Sequence, residues 1–391
     1  MTVDDAVVIS DAVVLAGGEG RRLRPLTTYQ PKPMLPVANR PVLSYVLDAL
    51  VENGIERATV VVGHGSDRIQ TQFADDYRGL ALSYVHQRLR LGSGHALAQA
   101  VGRVDGPFLV VNGDTVVDAA VVRQTIERYR ATDAVATLAV AHSDTPEEYG
   151  VVITDHGVIA DIDEHPTETR GYLVNVGVYV FSPAIFEALD QLSPRNGELQ
   201  LTDAVEKLGG PVTSVLVTEG WLDPTTPWQL LAVTEALLAG DEVVVADSAN
   251  VHESVVIDGP ALIGPGCELA AGVVVCGGTC LQANVHVGPG TVLDRTLVFT
   301  DARIGGGACL RDSVVGTGCE IGAGTVSPGG RADVAGDAGS QDRRTGGVVA
   351  DRAVVGPNAT LLPGSSVGAY ARVGPAVVVD GAVSQGMEVA C

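Results

Sequence analysis

The segment Leu15-Ala-Gly-Gly-Glu-Gly-Arg-Arg-Leu-Arg-Pro-Leu-Thr-Thr-Tyr-Gln-Pro-Lys-Pro-Met-Leu-Pro-Val-Ala-Asn-Arg-Pro41 gathers the residue types that bind a polyanion. Residues 13–16 form a short apolar run, and Gly17, Gly18 and Gly20 follow it directly. Without a Cβ in the way, the backbone N–H groups of such a turn can converge on an anion. The chain carries 47 Asp and Glu, yet none lies between Gly20 and Leu47, where Arg21, Arg22, Arg24, Lys32 and Arg40 cluster. Spacing sets two familiar phosphate loops aside. No Gly-Lys-Ser/Thr follows the glycines, and Leu23 stands about where the dinucleotide fingerprint needs its third glycine.

The elements that must hold this loop can be read from periodicity. Up to about residue 239, Val-rich runs at 59–63, 80–86, 108–112, 134–141 and 174–181 alternate with helix-like segments at 44–53, 94–101, 119–130 and 225–238. That alternation predicts a mixed, mostly parallel Rossmann-like α/β sheet with ligands at the carboxyl ends of its strands. The glycine loop after the first strand sits where that rule expects a ligand. Past residue 240 the period becomes six, with apolar residues at Val245, Val251, Ile257, Ile263, Leu269, Val275, Leu281, Val287 and Leu293. The register resumes at Val315 and Ile321, and again at Val355, Leu361, Val367, Val373 and Val379. The expected domains are therefore 1–240, α/β, and 241–391, a parallel β-helix of hexapeptide repeats. Residues 327–350 break the period and read as an irregular solvated excursion, in which Arg343 and Arg344 could alternatively grip a phosphate or a partner.

The formal charge is −22, and only Lys32 and Lys207 among 25 cations are lysine. Such acidity suits a salt-rich cytoplasm, where a hydrated carboxylate surface stays soluble. With no basic stripe beyond the loop, nucleic acid is excluded as a partner. The acidic start and the lack of an apolar run of roughly 20 residues point to a cytoplasmic protein without membrane attachment. The six cysteines, all after residue 266, show neither zinc nor disulfide spacing and read as small buried residues.

The run from Leu15 to Pro41 resembles the signature of sugar-1-phosphate nucleotidylyltransferases, LAGGxGxRLxPxTxxxPKPxxPVxxxP. The resemblance implies that Leu15, Ala16, Gly17, Gly18 and Gly20 cradle a nucleoside triphosphate that Arg22 also holds, while Lys32 neutralises charge at the reacting phosphates. Asn112-Gly-Asp-Thr-Val116 follows an apolar strand, and Asp114 looks like the family's metal-binding aspartate. Trp221-Leu-Asp-Pro-Thr-Thr-Pro-Trp228 resembles its second metal motif, with Asp223 as the other ligand and Thr225 where a glycine is usual. Two carboxylates completed by triphosphate oxygens and water suit Mg²⁺. Gln87-Arg-Leu-Arg-Leu-Gly-Ser-Gly-His95 is similar to the uracil loop of N-acetylglucosamine-1-phosphate uridylyltransferases, so Gln87, Gly92 and Ser93 would read the base. This favours UTP over dTTP, the alternative of glucose-1-phosphate thymidylyltransferases. His95 reads as a helix N-terminal residue. For the sugar, Gly150, Glu164 and Asn175 match, with Glu198 and Asp203 as weaker candidates, and His165 replaces the lysine usual after the glutamate.

What the resemblance implies is in-line attack of a sugar 1-phosphate on the α-phosphorus, giving UDP-N-acetylglucosamine or UDP-glucose and pyrophosphate. The C-terminal repeats resemble left-handed β-helices that assemble as trimers, so a homotrimer is expected. The layout is also similar to bifunctional archaeal and bacterial proteins whose β-helix acetylates an amino sugar. Their catalytic histidine position holds Gly306 here, and no histidine follows His286. A structural or regulatory β-helix is therefore the first reading and acetyl transfer the second. Non-catalytic nucleotide-sugar-binding subunits are a further class, but they tend to lose the arginine, lysine and carboxylates that this chain keeps.

Overall fold

The computed structural model describes residues 7–163, 172–195, 197–238, 243–336 and 339–390. The chain divides into two compact units. The first takes the residues up to Glu19, Pro31–Met34 and Val42–Leu222. The second takes Gly20–Gln30, Leu35–Pro41 and everything from Asp223 onward.

The first unit is built on a ten-stranded mixed sheet. Its order runs Val151–Asp155, Val158–Asp163, Val212–Val217, Ala136–His142, Leu173–Phe181, Phe108–Asn112, Asp11–Ala16, Arg57–Val62, Leu80–His86, Asp76–Tyr77. Asp11–Ala16 pairs in parallel with Phe108–Asn112 on one side and Arg57–Val62 on the other, and all six of its residues are buried. Residues 12–16 are the uninterrupted apolar run that a strand covered on both faces requires, and the buried Asp11 ahead of them pairs with Arg57 at 2.8 Å. Leu173–Phe181 is antiparallel to both of its main neighbours, which makes the sheet mixed. The helices Val42–Glu52 and Ala119–Arg130 turn Val46, Leu50, Val122 and Ile126 into one core layer, while Val13, Leu97, Val110 and Phe181 belong to the other.

The second unit carries the β-helix. Three sheets of eight, eight and seven short strands stack in parallel, and the chain passes through each in turn. This is the expected left-handed parallel β-helix. Ala261 pairs with Thr279, 18 residues on, so a coil is three hexapeptides. Ile263, Leu269, Val275, Leu281, Val287 and Leu293 point inward and are at most 2% exposed. The break in the sequence pattern after Leu293 is a shorter coil. Cys280 pairs with Leu297, 17 residues on, and Val298, Ile304 and Leu310 carry the core forward without interruption. One residue fewer at a corner shifts the sequence register and leaves the stack intact.

Residues in the expected irregular excursion fold instead as an antiparallel hairpin, Arg331–Gly336 against Gly339–Arg344. Arg344 donates to Asp312 at 3.0 Å, and Arg331 to Asp342 at 2.7 Å. Asp312 also receives Arg295 Nη1 at 2.8 Å, and Arg295 Nε donates to Glu235 on the helix Pro227–Leu237 at 2.8 Å. Arg344 thus belongs to an internal ion-pair chain running from that helix through the β-helix to the hairpin.

Among the described cysteines, Cys267, Cys280 and Cys319 are buried, and Cys276 and Cys309 half-buried. Burial pushes the thiols of Cys280 and Cys319 up to about 12. Among the described residues no helix is long and apolar enough to cross a membrane.

Candidate active site

Within the first unit, Leu15, the penultimate residue of the strand Asp11–Ala16, lies beside Asn112, and its carbonyl accepts the Gly113 N–H at 2.8 Å. That bond holds the glycine loop next to the turn that carries Asp114. A Cβ at Gly17 would lie 2.9 Å from Gln87 Oε1, so a side chain there would have to displace the Gln87 amide. Gly18 differs, because a Cβ there would meet nothing within 4 Å. Glu19 forms an ion pair with Arg90, tying the loop to the 87–95 segment. No motif spacing signals that pair.

Lys32 is the buried cation of the site at 5% exposure, and its Nζ lies 3.0 Å from Asp114 Oδ2. Charged side chains are almost never buried without a partner. The two residues singled out for different roles, phosphate neutralisation and metal ligation, are therefore brought into direct contact. Among the described residues no three His, Cys, Asp or Glu side chains group as a metal site. Leu222 pairs antiparallel with Val116 in a two-stranded ladder. Asp114 stands two residues before Val116 in sequence, and Asp223 directly follows Leu222. The Tyr149 ring meets Trp221 edge-on at 5.3 Å, which joins the Glu148-Tyr-Gly150 segment to the Trp221 motif.

The 87–95 loop is held by its own residues. Gln87 is buried, and its Nε2 lies 3.0 Å from the Gly92 carbonyl and 3.1 Å from His95 Nδ1. Gly92 adopts φ +93°, and a Cβ there would meet the Leu199 carbonyl oxygen at 2.5 Å. The glycine is thus also required by close packing on the segment 197–201. The Ser93 hydroxyl donates to Gln200 and accepts the Leu201 N–H at 2.9 Å, anchoring the helix Leu201–Val205. Asn175 is similarly engaged: its Nδ2 donates to Tyr179 Oη at 2.7 Å, its Oδ1 accepts the Gly177 N–H, and its own N–H donates to the Gly150 carbonyl. Glu164 and His165 lie outside the described residues. Asp203 pairs with Arg195 at 2.8 Å and Glu198 accepts from Gln200.

Within the second unit, Gly20 takes a left-handed turn, φ +60°, into the 3₁₀ turn Arg21–Leu23. The Gly20 carbonyl accepts from Thr27 Oγ1 at 2.8 Å and from the Leu23 N–H, closing the basic limb on itself. Leu23 and Leu26 are buried beneath it, while Arg22 is exposed. Asn39 Nδ2 donates to the Leu281 carbonyl of the β-helix at 2.8 Å. After Asp223, Thr225 fills the position where a glycine was expected, and its hydroxyl donates to Gln229 Oε1 while Thr226 caps the following helix.

Comparison with known proteins decides the family. The nucleotidyl transferase model matches residues 11–240. The chain belongs to the nucleotidyl transferase family. Enzymes of this family generally use a divalent metal. This family member is 27% identical over 406 residues to the bifunctional protein GlmU of Methanococcus maripaludis, covering 96% of each chain. The low-salt glycan biosynthesis nucleotidyltransferase Agl11 of Haloferax volcanii is 33% identical over 83% of this chain and 98% of its own. The UTP–glucose-1-phosphate uridylyltransferase AglF of the same organism is 38% identical over 54% of this chain and 88% of its own. A solved structure of UDP-glucose pyrophosphorylase complexed with UDP-glucose superposes with a TM-score of 0.54 at 24% identity, covering 59% of this nucleotidyl transferase and 98% of that chain. That likeness supports the α/β fold.

Proposed function

We propose that this chain joins UTP to a sugar 1-phosphate, releasing pyrophosphate and forming UDP-N-acetylglucosamine or UDP-glucose. The observation that carries this reading is the Lys32–Asp114 contact at 3.0 Å beside the glycine loop. It couples the cation that phosphates need to the carboxylate that a metal needs. The open space at Gly18 supports it, because packing does not require a glycine there and a bound phosphate would.

A sugar 1-phosphate oxygen attacks the α-phosphorus in line, and the bond from that phosphorus to the bridging oxygen of the β-phosphate breaks. No protein nucleophile enters, so catalysis is alignment and charge stabilisation. Backbone N–H groups of Leu15 to Gly20 hold the triphosphate, and Arg22 and Lys32 offset its charge. Asp114 and Asp223 offer the hard oxygen donors that Mg²⁺ prefers, and the ion, when bound, polarises the phosphoryl oxygens. Asp114 is the accessible member of its pair, with 31% of its side chain exposed against 6% for Lys32. With Gln87 Nε2 engaged, its amide oxygen is the acceptor that a pyrimidine N3–H requires, and Gly92 and Ser93 contribute backbone groups. Gly150, Glu164 and Asn175 recognise the sugar. Residues 1–240 act as the catalytic domain, and 241–391 assemble it as a homotrimer.

Pyrophosphate release with Mg²⁺ in high salt, scanning UTP, dTTP, GTP, CTP and ATP against glucose-, N-acetylglucosamine-, galactose- and mannose-1-phosphate, tests the proposal. Turnover with UTP and one of the first two sugars is expected. A thymidylyltransferase of Streptomyces griseus, 33% identical over 78% of this chain, makes dTTP the base to compare first. Preference for dTTP would overturn the base assignment, and silence of folded protein across the panel would overturn the catalytic reading.

A further inference from the structure

The phosphate-binding limb is fastened to one corner of the β-helix, and we infer that this corner sets the affinity for the nucleoside triphosphate. The limb runs from Gly20 to Lys32 through short 3₁₀ turns, and Tyr29 stands between the last two of them. Gln385 Nε2 donates to Tyr29 Oη at 2.5 Å. The Tyr29 ring meets Tyr370 edge-on, with centroids 5.6 Å apart. Tyr370 is itself braced by Arg352, whose Nη1 donates to Tyr370 Oη at 2.9 Å and whose guanidinium lies 5.7 Å from the ring centroid.

That corner is turned by residues in the left-handed conformation. Arg352 and Tyr370 occupy successive coils, 18 residues apart, and both take left-handed φ values of +57° and +60°. The coils before and after turn the same corner with Gly318 and Gly386, φ +64° and +68°. A glycine relieves that conformation and a long side chain does not. Side chains take this conformation in other coils too, at Asn284, Arg295 and Asp301 among others, so what marks this corner is that Tyr370 meets Tyr29.

Tyr29 is three residues before Lys32 and seven after Arg22, so its docking restricts the segment carrying both cations. A limb ordered before the nucleotide arrives need not be ordered by it, which shows as a lower KM with little change in kcat. Tyr370 and Gln385 are in this sense positioning residues. They touch no substrate and act through Tyr29. The inference rests on the proposed triphosphate site and deepens it.

The test uses full-length Tyr29→Phe, Tyr370→Ala, Tyr370→Phe, Gln385→Ala and the double variant Tyr29→Ala/Tyr370→Ala, with Tyr29→Ala as its partner single. The readouts are kcat, the KM for UTP, its Kd by calorimetry, and hydrogen exchange across residues 20–34. Loss of one hydrogen bond and one aromatic contact is expected to raise KM and Kd about tenfold in Tyr370→Ala, with kcat within about twofold. Tyr370→Phe keeps the ring edge and should recover most of the affinity. The double variant should be no worse than Tyr29→Ala, since the two residues share one interaction, and exchange in the limb should quicken. KM, Kd and exchange like the parent's in folded Tyr370→Ala and Gln385→Ala, or additive effects in the double variant, would overturn the inference. If the parent binds UTP without turnover, the catalytic reading falls while the Kd and exchange comparison still decides this one. If the parent neither turns over nor binds UTP, both readings fall.

Discussion

Two glycines, one from each unit, do opposite work. Gly18 in the nucleotide loop faces open space, whereas a Cβ at Gly264 in the β-helix would lie 2.7 Å from the Gln282 carbonyl carbon of the next coil. One glycine is exposed with no neighbour to constrain it, and the other lets two coils of the chain approach. The same residue type is thus open at one position and closely packed at the other. What separates the cases is the neighbour in space, which adjacent residues in sequence do not reveal.

That contrast can be sharpened or broken by substitution. The largest effect is expected in the stacked core, where Leu293 is fully buried. Leu293→Ala should lower unfolding stability by about 2–5 kcal/mol through lost transfer energy and a cavity, read as a fall in the denaturation midpoint. Next comes the charge pair. Lys32→Ala and Asp114→Ala should each lose at least about a hundredfold in kcat, the scale of one preorganised electrostatic group, and near-normal turnover in either would refute its assignment.

Gly264→Ala against Gly18→Ala tests the comparison directly. The first must push a backbone carbonyl and should cost about 1–3 kcal/mol of stability. Stability in the second should stay within about 0.5 kcal/mol of the parent, with a raised KM for the triphosphate instead. The reverse pattern would show that the nucleotide loop is shaped by packing alone.

The smallest effect concerns thiols. Because burial pushes Cys280 and Cys319 up to about 12, both should resist alkylation in native protein at pH 8, as read by peptide mass mapping. Their protonated state favours the folded chain, and an unfolded thiol titrates near about 8.5. That contribution is complete below about pH 8.5 and is lost as pH rises toward 12. Rapid labelling of Cys319 at pH 8 would contradict its burial.

Much of the fold was legible. Strands 80–86 and 108–112 and helix 119–130 stand at the expected residues, because each is an apolar run or helical stripe with clear ends. The strand Val158–Asp163 was not legible. It mixes apolar with acidic residues without a regular alternation and keeps only Ile162 buried, so it reads as a loop until its partners are known. The hairpin beyond residue 330 was hidden similarly, since few of its residues mark a core face. In the candidate site, Lys32 and Asp114 were both named from the sequence. Their contact, the Glu19–Arg90 pair and the Tyr29 anchor were not, because each joins residues whose spacing carries no periodic or motif signal.

The sequence by itself determined the family and the α/β and β-helical character of the two regions, and it named the residues proposed to bind phosphate and metal. Those follow from local composition and from periods of two, 3.6 and six, which are properties of neighbouring residues. Only the tertiary structure decided that Lys32 is buried against Asp114, that the Ser93 and Asn175 side chains are engaged by other groups of the protein, and that the basic limb is tied to a β-helix corner. These are outcomes of long-range packing, in which every buried polar group must find a partner. Which partner it finds depends on how strands far apart in the chain come to lie together.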